Sequence, residues 1–279
     1  MAELQIDRLS PVVGAEISGV DLAQISDDML EDIRGALFEN GVIFFRDQSL
    51  TPDQHIAFAE RWGEIDVNRF FEAVDGYPKI AEVRKDPHQT TNIGGSWHTD
   101  HSYDPAPAMC SIVYGREIPE AGGDTMFASM TAAYESFSPG LKNTLHRLSA
   151  WHSDSVFSDE KDSEGRVSDE NVGVDSLHPV IIAHPVTGRP AVYVNGDFTI
   201  RFDGWTEEES RPLLEYLYEA CTRAEYCCRF RWQTGSMAIW DNRLVQHYAV
   251  NDYNGAARLL HRITIEGVPL NAAGEAGHA

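Results

Sequence analysis

The spacing of apolar and polar positions predicts three well-marked helices. SDDMLEDIRGALFENG (26–41) puts Ser26 at the cap, acids in the first turn and Gly41 just past the end. TPDQHIAFAERWG (51–63) starts with Thr51 as cap, Pro52 at the first helical position and Gln54 completing a capping box. TEEESRPLLEYLYEACTR (206–223) repeats the box with Thr206 and Glu209, and carries an apolar stripe through Leu213, Leu214, Leu217 and Tyr218. A weaker helical pattern over 129–148 is broken at Ser138-Pro139-Gly140. Compact apolar or alternating runs predict strands at VIFFR (42–46), CSIVYG (110–115), PVIIAHP (179–185), AVYVN (191–195), CCRFRW (227–232), SMAIWD (236–241) and RLLHRITIEG (258–267). These strands do not alternate with helices in a βα rhythm. The pattern therefore favours an antiparallel sandwich or jelly roll with helices attached over a doubly wound sheet.

Two polar stretches, 85–96 and 153–176, interrupt the pattern and are expected to be mobile, and the second has the length of an active-site lid. Neither an internal repeat nor a linker-like change of composition occurs, so a single domain over 1–279 is expected, with 268–279 as a flexible tail.

Charge narrows the partners. The net charge of −22 repels phosphate backbones and anionic lipid, which argues against nucleic acid and membrane surfaces. The first residues lack a basic and apolar leader, and no apolar run is long enough for a span, so a cytoplasmic protein is expected. Four cysteines (Cys110, Cys221, Cys227, Cys228) without a CxxC pair read as reduced thiols. The acidity is uneven: residues 226–262 carry five arginines against two aspartates, so a small anionic ligand remains compatible with the acidic exterior.

The densest chemistry is Trp97-His98-Thr99-Asp100. On an extended segment His98 and Asp100 project to one face and supply two ligands of a 2-His-1-carboxylate triad, which leaves metal positions open for reactants. A third ligand is offered by His247 in WDNRLVQHYAV, although His101, His152, His178, His184 and His261 compete on spacing alone. On the strand RLLHRITIEG, Arg258, Leu260, Arg262 and Thr264 share a face. That face is either solvated or turned into a barrel, where two buried guanidinium groups would need anionic partners. Two histidines and an aspartate also suit a zinc hydrolase, and a non-catalytic jelly-roll binding protein is a further reading.

The segments VVGAEISGVDL, GVIFFRDQSLTPDQHIAFAERWGEI, WHTD, IPEAGGDTMFASM, HPVTGRPAVYVN, WDNRLVQHYAVNDY and HRITIEG together resemble the taurine dioxygenase-like (TauD/TfdA) family of Fe(II)/2-oxoglutarate-dependent oxygenases over nearly the whole chain. The resemblance implies a mainly β fold with peripheral helices around a double-stranded β-helix (jelly-roll) core. It implies iron ligation by His98, Asp100 and His247, and binding of the far carboxylate of 2-oxoglutarate by Thr125 and Arg258. Arg262 matches the residue that meets the substrate anion, Asn195, Phe198 and Trp240 match the pocket wall, and Asn68 occupies a substrate-binding position. Fe(II), 2-oxoglutarate and O2 are the implied cofactor and cosubstrates, and a homodimer or homotetramer the implied assembly.

Asn68 stands where the taurine enzyme has a histidine, and Gly94 where it has an asparagine. The expected substrate is therefore another small anion: a sulfonate, an alkyl sulfate or an aryloxyalkanoate, hydroxylated beside its heteroatom with release of succinate and CO2. Desaturation, or hydroxylation of an amino-acid-like acid, would use the same residues. Asp100 argues against halogenation, which needs that metal position for a halide.

Overall fold

Strand β3 (Val42–Phe45) is buried at all four positions, and its alternation sorts the core into two layers. Val42 and Phe44 enter one apolar cluster, while Ile43 and Phe45 enter the other. The same two-sided burial recurs on β15 (Met237–Asp241), β7 (Cys110–Glu117) and β17 (Arg258–Ile265). A sheet covered on both faces shows continuous apolar runs in place of alternation, which is what VIFF and MAIW display. The computed structural model describes residues 4–155 and 173–274.

These strands form the middle of a large sheet ordered β1-β2-β3-β15-β7-β17-β6-β5. Here β1 is Gln5–Arg8, β2 Ala15–Ser18, β5 Ala73–Val74 and β6 Tyr77–Lys85; β4 (Ile65–Asp66) pairs with the end of β17. The β2–β3 pair is parallel and the other pairs in this sheet are antiparallel. Helices α1 (Asp27–Asn40) and α2 (Pro52–Glu60) cover the outer face through Leu30, Ile33, Leu37 and Phe58. Their caps are those the sequence predicts: Ser26 Oγ accepts from Met29 N, and Thr51 with Gln54 forms a capping box.

The inner face meets a short antiparallel sheet, β14-β8-β16, made of Cys227–Phe230, Thr125–Ser129 and Val245–Ala249. Phe44 bridges the two sheets, stacked on Phe230 at 4.1 Å and edge-on to Phe127 at 5.6 Å. Two further sheets complete the inner layer, β10-β9-β13 (Asp175–Pro179, Ser149–Ser153, Thr199–Phe202) and β12-β11-β18 (Pro190–Val192, Ile181–Ala183, Asn271–Ala272). The helical pattern broken at Ser138 becomes α3 (Met130–Ser136) and α4 (Pro139–Leu145), and α5 (Glu207–Cys221) packs beside β13. This is the mainly β sandwich with peripheral helices that the strand pattern favoured.

Two expectations change in part. The stretch 268–279 is not free up to residue 274: β18 pairs with β11, and Leu270 and Ala273 are buried. The segment 85–96 is tied down, with Asn92 donating to the Ala249 carbonyl and Asn251 to that of Thr90. Most of the candidate lid at 153–176 lies outside the described residues.

Candidate active site

Along β17 the inward positions are Arg258, Leu260, Arg262 and Thr264, and all four are buried. The arginine face therefore points into the sandwich, not to solvent. Beside it, β7 places Ser111 inward, opposite both Thr264 and Trp240. The polar inward positions thus run the length of β17, from Arg258 through Arg262 to Thr264 with Ser111 beside it, and the site lies along this face.

The backbones of His98 and His247 exchange two hydrogen bonds, N to O at 3.1 and 2.9 Å, as an antiparallel bridge. Directly opposed residues project to one side, so this pairing brings together two imidazoles distant in sequence, with ring centroids 4.1 Å apart. Asp100 Oδ1 sits 3.7 Å from His98 Nε2 and 3.8 Å from His247 Nε2. The ligand atoms of the three residues lie within 4.8 Å of one another, and all three residues are buried. Other histidines that competed on spacing are committed elsewhere: His184 to Asp241, His178 to the Ser102 carbonyl, and His101 to Asp66.

The donor set suits a divalent metal. His98 Nδ1 lies 2.9 Å from the Ser96 carbonyl, which can only accept, so Nδ1 carries the proton and Nε2 presents its lone pair. Burial and the neighbouring His98 push His247 well below its usual pKa, favouring the neutral, ligating imidazole. Burial alone would raise the Asp100 pKa, but the Arg262 guanidinium and the two histidines hold it far below the usual carboxylate range. Gly94 (φ 75°) passes so close that a Cβ would lie 3.1 Å from His98 Cε1, so a side chain there would press on this imidazole.

A directed chain of hydrogen bonds orients the carboxylate. Trp240 Nε1 donates to Asn242 Oδ1 at 2.9 Å, Asn242 Nδ2 to Ser111 Oγ at 3.4 Å, and Ser111 Oγ to Asp100 Oδ2 at 2.7 Å. Arg262 Nη2 pairs with the same Oδ2 at 3.0 Å. Oδ2 is thereby held from behind while Oδ1 faces both histidines. Trp240 also packs 4.6 Å from the His247 ring.

The second element is a buried cation with aromatic and hydroxyl neighbours. Arg258 Nη2 donates to Thr125 Oγ1 at 3.4 Å, and Trp232 Nε1 donates to the same oxygen at 2.9 Å. With two donors aimed at its oxygen, the Thr125 hydroxyl hydrogen is available to an incoming acceptor. Arg258 Nε has no hydrogen-bond partner, and among the described residues no carboxylate lies within ion-pair distance of the guanidinium. Burial lowers its pKa, partly offset by Tyr253 and Asp124. A guanidinium bonded to Thr125 and the Tyr253 side chain but lacking a carboxylate partner among the described residues, beside a hydroxyl with its hydrogen available, forms a receptor for one carboxylate.

The profile described as "Taurine catabolism dioxygenase TauD, TfdA family" matches residues 5–264. The chain belongs to the TauD/TfdA family. It is 36% identical over 277 residues to an alkylsulfatase of Acinetobacter baylyi, covering 95% of this chain and 86% of that one. To an alpha-ketoglutarate-dependent sulfate ester dioxygenase of Pseudomonas putida it is 34% identical over 284 residues, covering 98% and 93%. The crystal structure of a taurine dioxygenase from Burkholderia xenovorans matches with a TM-score of 0.83 at 34% identity, over 96% of this chain and 93% of that one. This TauD/TfdA chain is accordingly an Fe(II)- and 2-oxoglutarate-dependent dioxygenase with a jelly-roll core, and O2 is its other cosubstrate.

The residues matched to the family's pocket wall differ in what they do. Phe198 stands edge-on to His98 at 6.2 Å and to Tyr103 at 5.0 Å, so it borders the triad. Asn195 turns its amide to its own chain, accepting from Asp197 N and Phe198 N and donating to Ser102 Oγ, which places Phe198. Asn68 likewise accepts from Phe70 N and Phe71 N, shaping the loop that carries both rings, and its Nδ2 approaches His101 Nε2 at 3.5 Å. Ser111, Asn242, Trp232, Phe71 and Tyr103 were not foreseen. Ser111 left one usable signal, a hydroxyl at an inward position within the otherwise apolar run Cys110–Val113.

Proposed function

We propose that this dioxygenase hydroxylates a small organic anion, a sulfate ester, sulfonate or aryloxyalkanoate, at the carbon beside its heteroatom. The carrying observation is Arg262. Its guanidinium is buried and, among the described residues, its one acidic partner within ion-pair distance is Asp100 and Nη2 makes no aligned hydrogen bond despite the 3.0 Å ion pair. When Asp100 also serves a divalent metal, Arg262 has charge to offer a second anion. Beside it runs an aromatic wall: Phe71 lies 5.9 Å from the Arg262 guanidinium, and Phe70, Tyr103 and Phe198 continue to His98. An anion held at Arg262 would lay its organic portion along this wall towards the triad. The names of the sulfate ester, sulfonate and phenoxypropionate dioxygenases among the relatives support the same class.

In this reading His98, Asp100 and His247 hold the iron, and Thr125 with Arg258 hold the far carboxylate of 2-oxoglutarate. Iron and 2-oxoglutarate, when bound, supply the activation of O2, one oxygen atom going to the substrate and the other to succinate as CO2 is lost. The protein's part is placement. The Trp240–Asn242–Ser111 chain fixes Asp100, the aromatic wall excludes water, and Arg262 aims the substrate C–H bond. Hydroxylation beside oxygen or sulfur yields a product that fragments to a carbonyl compound and a leaving group: sulfate from a sulfate ester, sulfite from a sulfonate, a phenol from an aryloxyalkanoate. A hydrolytic zinc centre would leave the Arg258–Thr125 receptor without an occupant. The reading extends to a dimer or tetramer, supported by the family resemblance, and to cytoplasmic residence; no helix among the described residues is long and apolar enough to cross a membrane.

The test is a panel of alkyl sulfates, alkanesulfonates, aryloxyalkanoates and their neutral alcohol or ether analogues. Anionic members should be oxidised and neutral analogues should not. Arg262→Met should lower kcat/KM for the anionic substrate at least tenfold more than it raises KM for 2-oxoglutarate. Equal losses in both would refute the assignment of Arg262 to substrate.

A further inference from the structure

Lys85, the last residue of β6, lies directly opposite Arg258, the first residue of β17. Opposed residues of an antiparallel pair project to the same side, so the ammonium enters the interior beside the guanidinium. Lys85 is only 2% exposed, and among the described residues its Nζ has no hydrogen-bond partner. The ammonium lies over the face of Tyr253, 4.1 Å from the ring centroid, and the Arg258 guanidinium is 5.9 Å from that ring. Gly123 (φ 71°) brings the preceding loop against the same group, where a Cβ would meet Arg258 Cδ at 3.1 Å and the Tyr253 ring at 3.3 Å.

Two buried cations thus share one aromatic ring. Among the described residues neither has a carboxylate within ion-pair distance; Asp124, which acts electrostatically on Arg258, is held by Arg229 Nε at 2.6 Å. A buried ammonium without a counter-charge is costly, and one tyrosine face offsets only a fraction of that cost. Two such cations side by side repel each other as well, so the arrangement is unfavourable until an anion enters.

We propose that Lys85 is a second cation of the cosubstrate site, acting with Arg258 on the far carboxylate of 2-oxoglutarate. The inference rests on the Arg258–Thr125 receptor described above and extends it: the site selects a dicarboxylic keto acid through paired charges. It also makes Lys85 a burden on the ligand-free fold that ligand relieves. A purely structural lysine held by Tyr253 would have the opposite signature.

Anaerobic Fe(II)-loaded protein is titrated by calorimetry with 2-oxoglutarate and with 2-oxopentanoate, which has the same chain length and keto-acid end but lacks the far carboxylate. Wild type, Lys85→Met, Lys85→Arg and Arg258→Met are compared, and each is melted without ligand. Lys85→Met should weaken 2-oxoglutarate at least tenfold and leave 2-oxopentanoate within twofold. Lys85→Arg should recover most of the loss, and the ligand-free Lys85→Met protein should melt no lower than wild type. Parallel losses for both keto acids, no loss for either, or a lower ligand-free melting temperature would overturn the proposal. If Arg258→Met still abolishes the preference for the dicarboxylate while Lys85→Met does not, the receptor stands and Lys85 alone is excluded. Absence of 2-oxoglutarate binding to wild type would overturn both.

Discussion

Replacing Ser111 by alanine removes one hydroxyl that touches no reactant yet sits behind the metal site. Its Oγ donates to Asp100 Oδ2 at 2.7 Å and accepts from Asn242 Nδ2 at 3.4 Å. A hydrogen bond to an ionised carboxylate contributes about 1.5–3 kcal/mol net. Because Arg262 still pairs with Oδ2, the loss should fall in the lower part of that range, and at 1.4 kcal/mol per decade this corresponds to roughly 10- to 30-fold. That magnitude matches the 10–100-fold typical for groups that orient metal ligands. Burial favours the protonated acid, so removing a donor to the charged form also raises the Asp100 pKa and weakens metal further at low pH. Anaerobic Fe(II) titration of wild type, Ser111→Ala and Ser111→Thr, followed by calorimetry, reads the effect. The alanine variant should bind iron roughly 10- to 30-fold more weakly with an unchanged fold, and threonine should recover much of it. Wild-type iron affinity in Ser111→Ala would refute the view that this relay positions the carboxylate.

Other consequences follow from single contacts. Trp232→Phe removes the indole N–H that fixes Thr125 Oγ1 at 2.9 Å, so steady-state kinetics should show KM for 2-oxoglutarate raised about fivefold, for a bond of about 1 kcal/mol, with substrate KM unchanged. His55 is fully buried against Tyr114, and burial followed by the charge of His261 lowers its pKa to about 3. The unfolded chain therefore takes up a proton near pH 6.5 that the fold refuses, so this stability is full above that pH and is lost as pH falls towards 3. Between pH 7 and pH 5 the loss is about 2 kcal/mol, and urea unfolding of His55→Leu should show a pH dependence shallower by that amount.

The helices were legible because their caps are local: Ser26, Thr51 with Gln54, and Thr206 with Glu209 bond to backbone three residues away. Strands with continuous apolar runs, such as β3 and β15, were legible for a similar reason. The strands β8 and β16 were harder to see. TMFAS and VQHYA carry the site's own polar residues, Thr125 and His247, at inward positions, so function broke the pattern there. The triad illustrates the same limit. His98 and Asp100 are adjacent enough for sequence to pair them, whereas the choice of His247 is made by a two-bond backbone bridge that no local signal encodes. Whether Arg258 and Arg262 faced inward was undecided by their alternation, since β17 is buried on both sides. Asn195 and Asn68 matched a pocket wall by position, and the structure shows their amides turned to backbone and to Ser102, shaping the loops that carry Phe198, Phe70 and Phe71.

The central claim is that the His98–Asp100–His247 site and the Arg258–Thr125 receptor act as one unit on a small anion. The most direct measurement is the stoichiometry of succinate to oxidised product in iron-loaded protein supplied with 2-oxoglutarate, O2 and each member of the anion panel. The account predicts that at least one sulfate ester, sulfonate or aryloxyalkanoate gives product and succinate in equal amounts, and that His247→Ala abolishes both. Product formed without 2-oxoglutarate, or with zinc in place of iron, would contradict it.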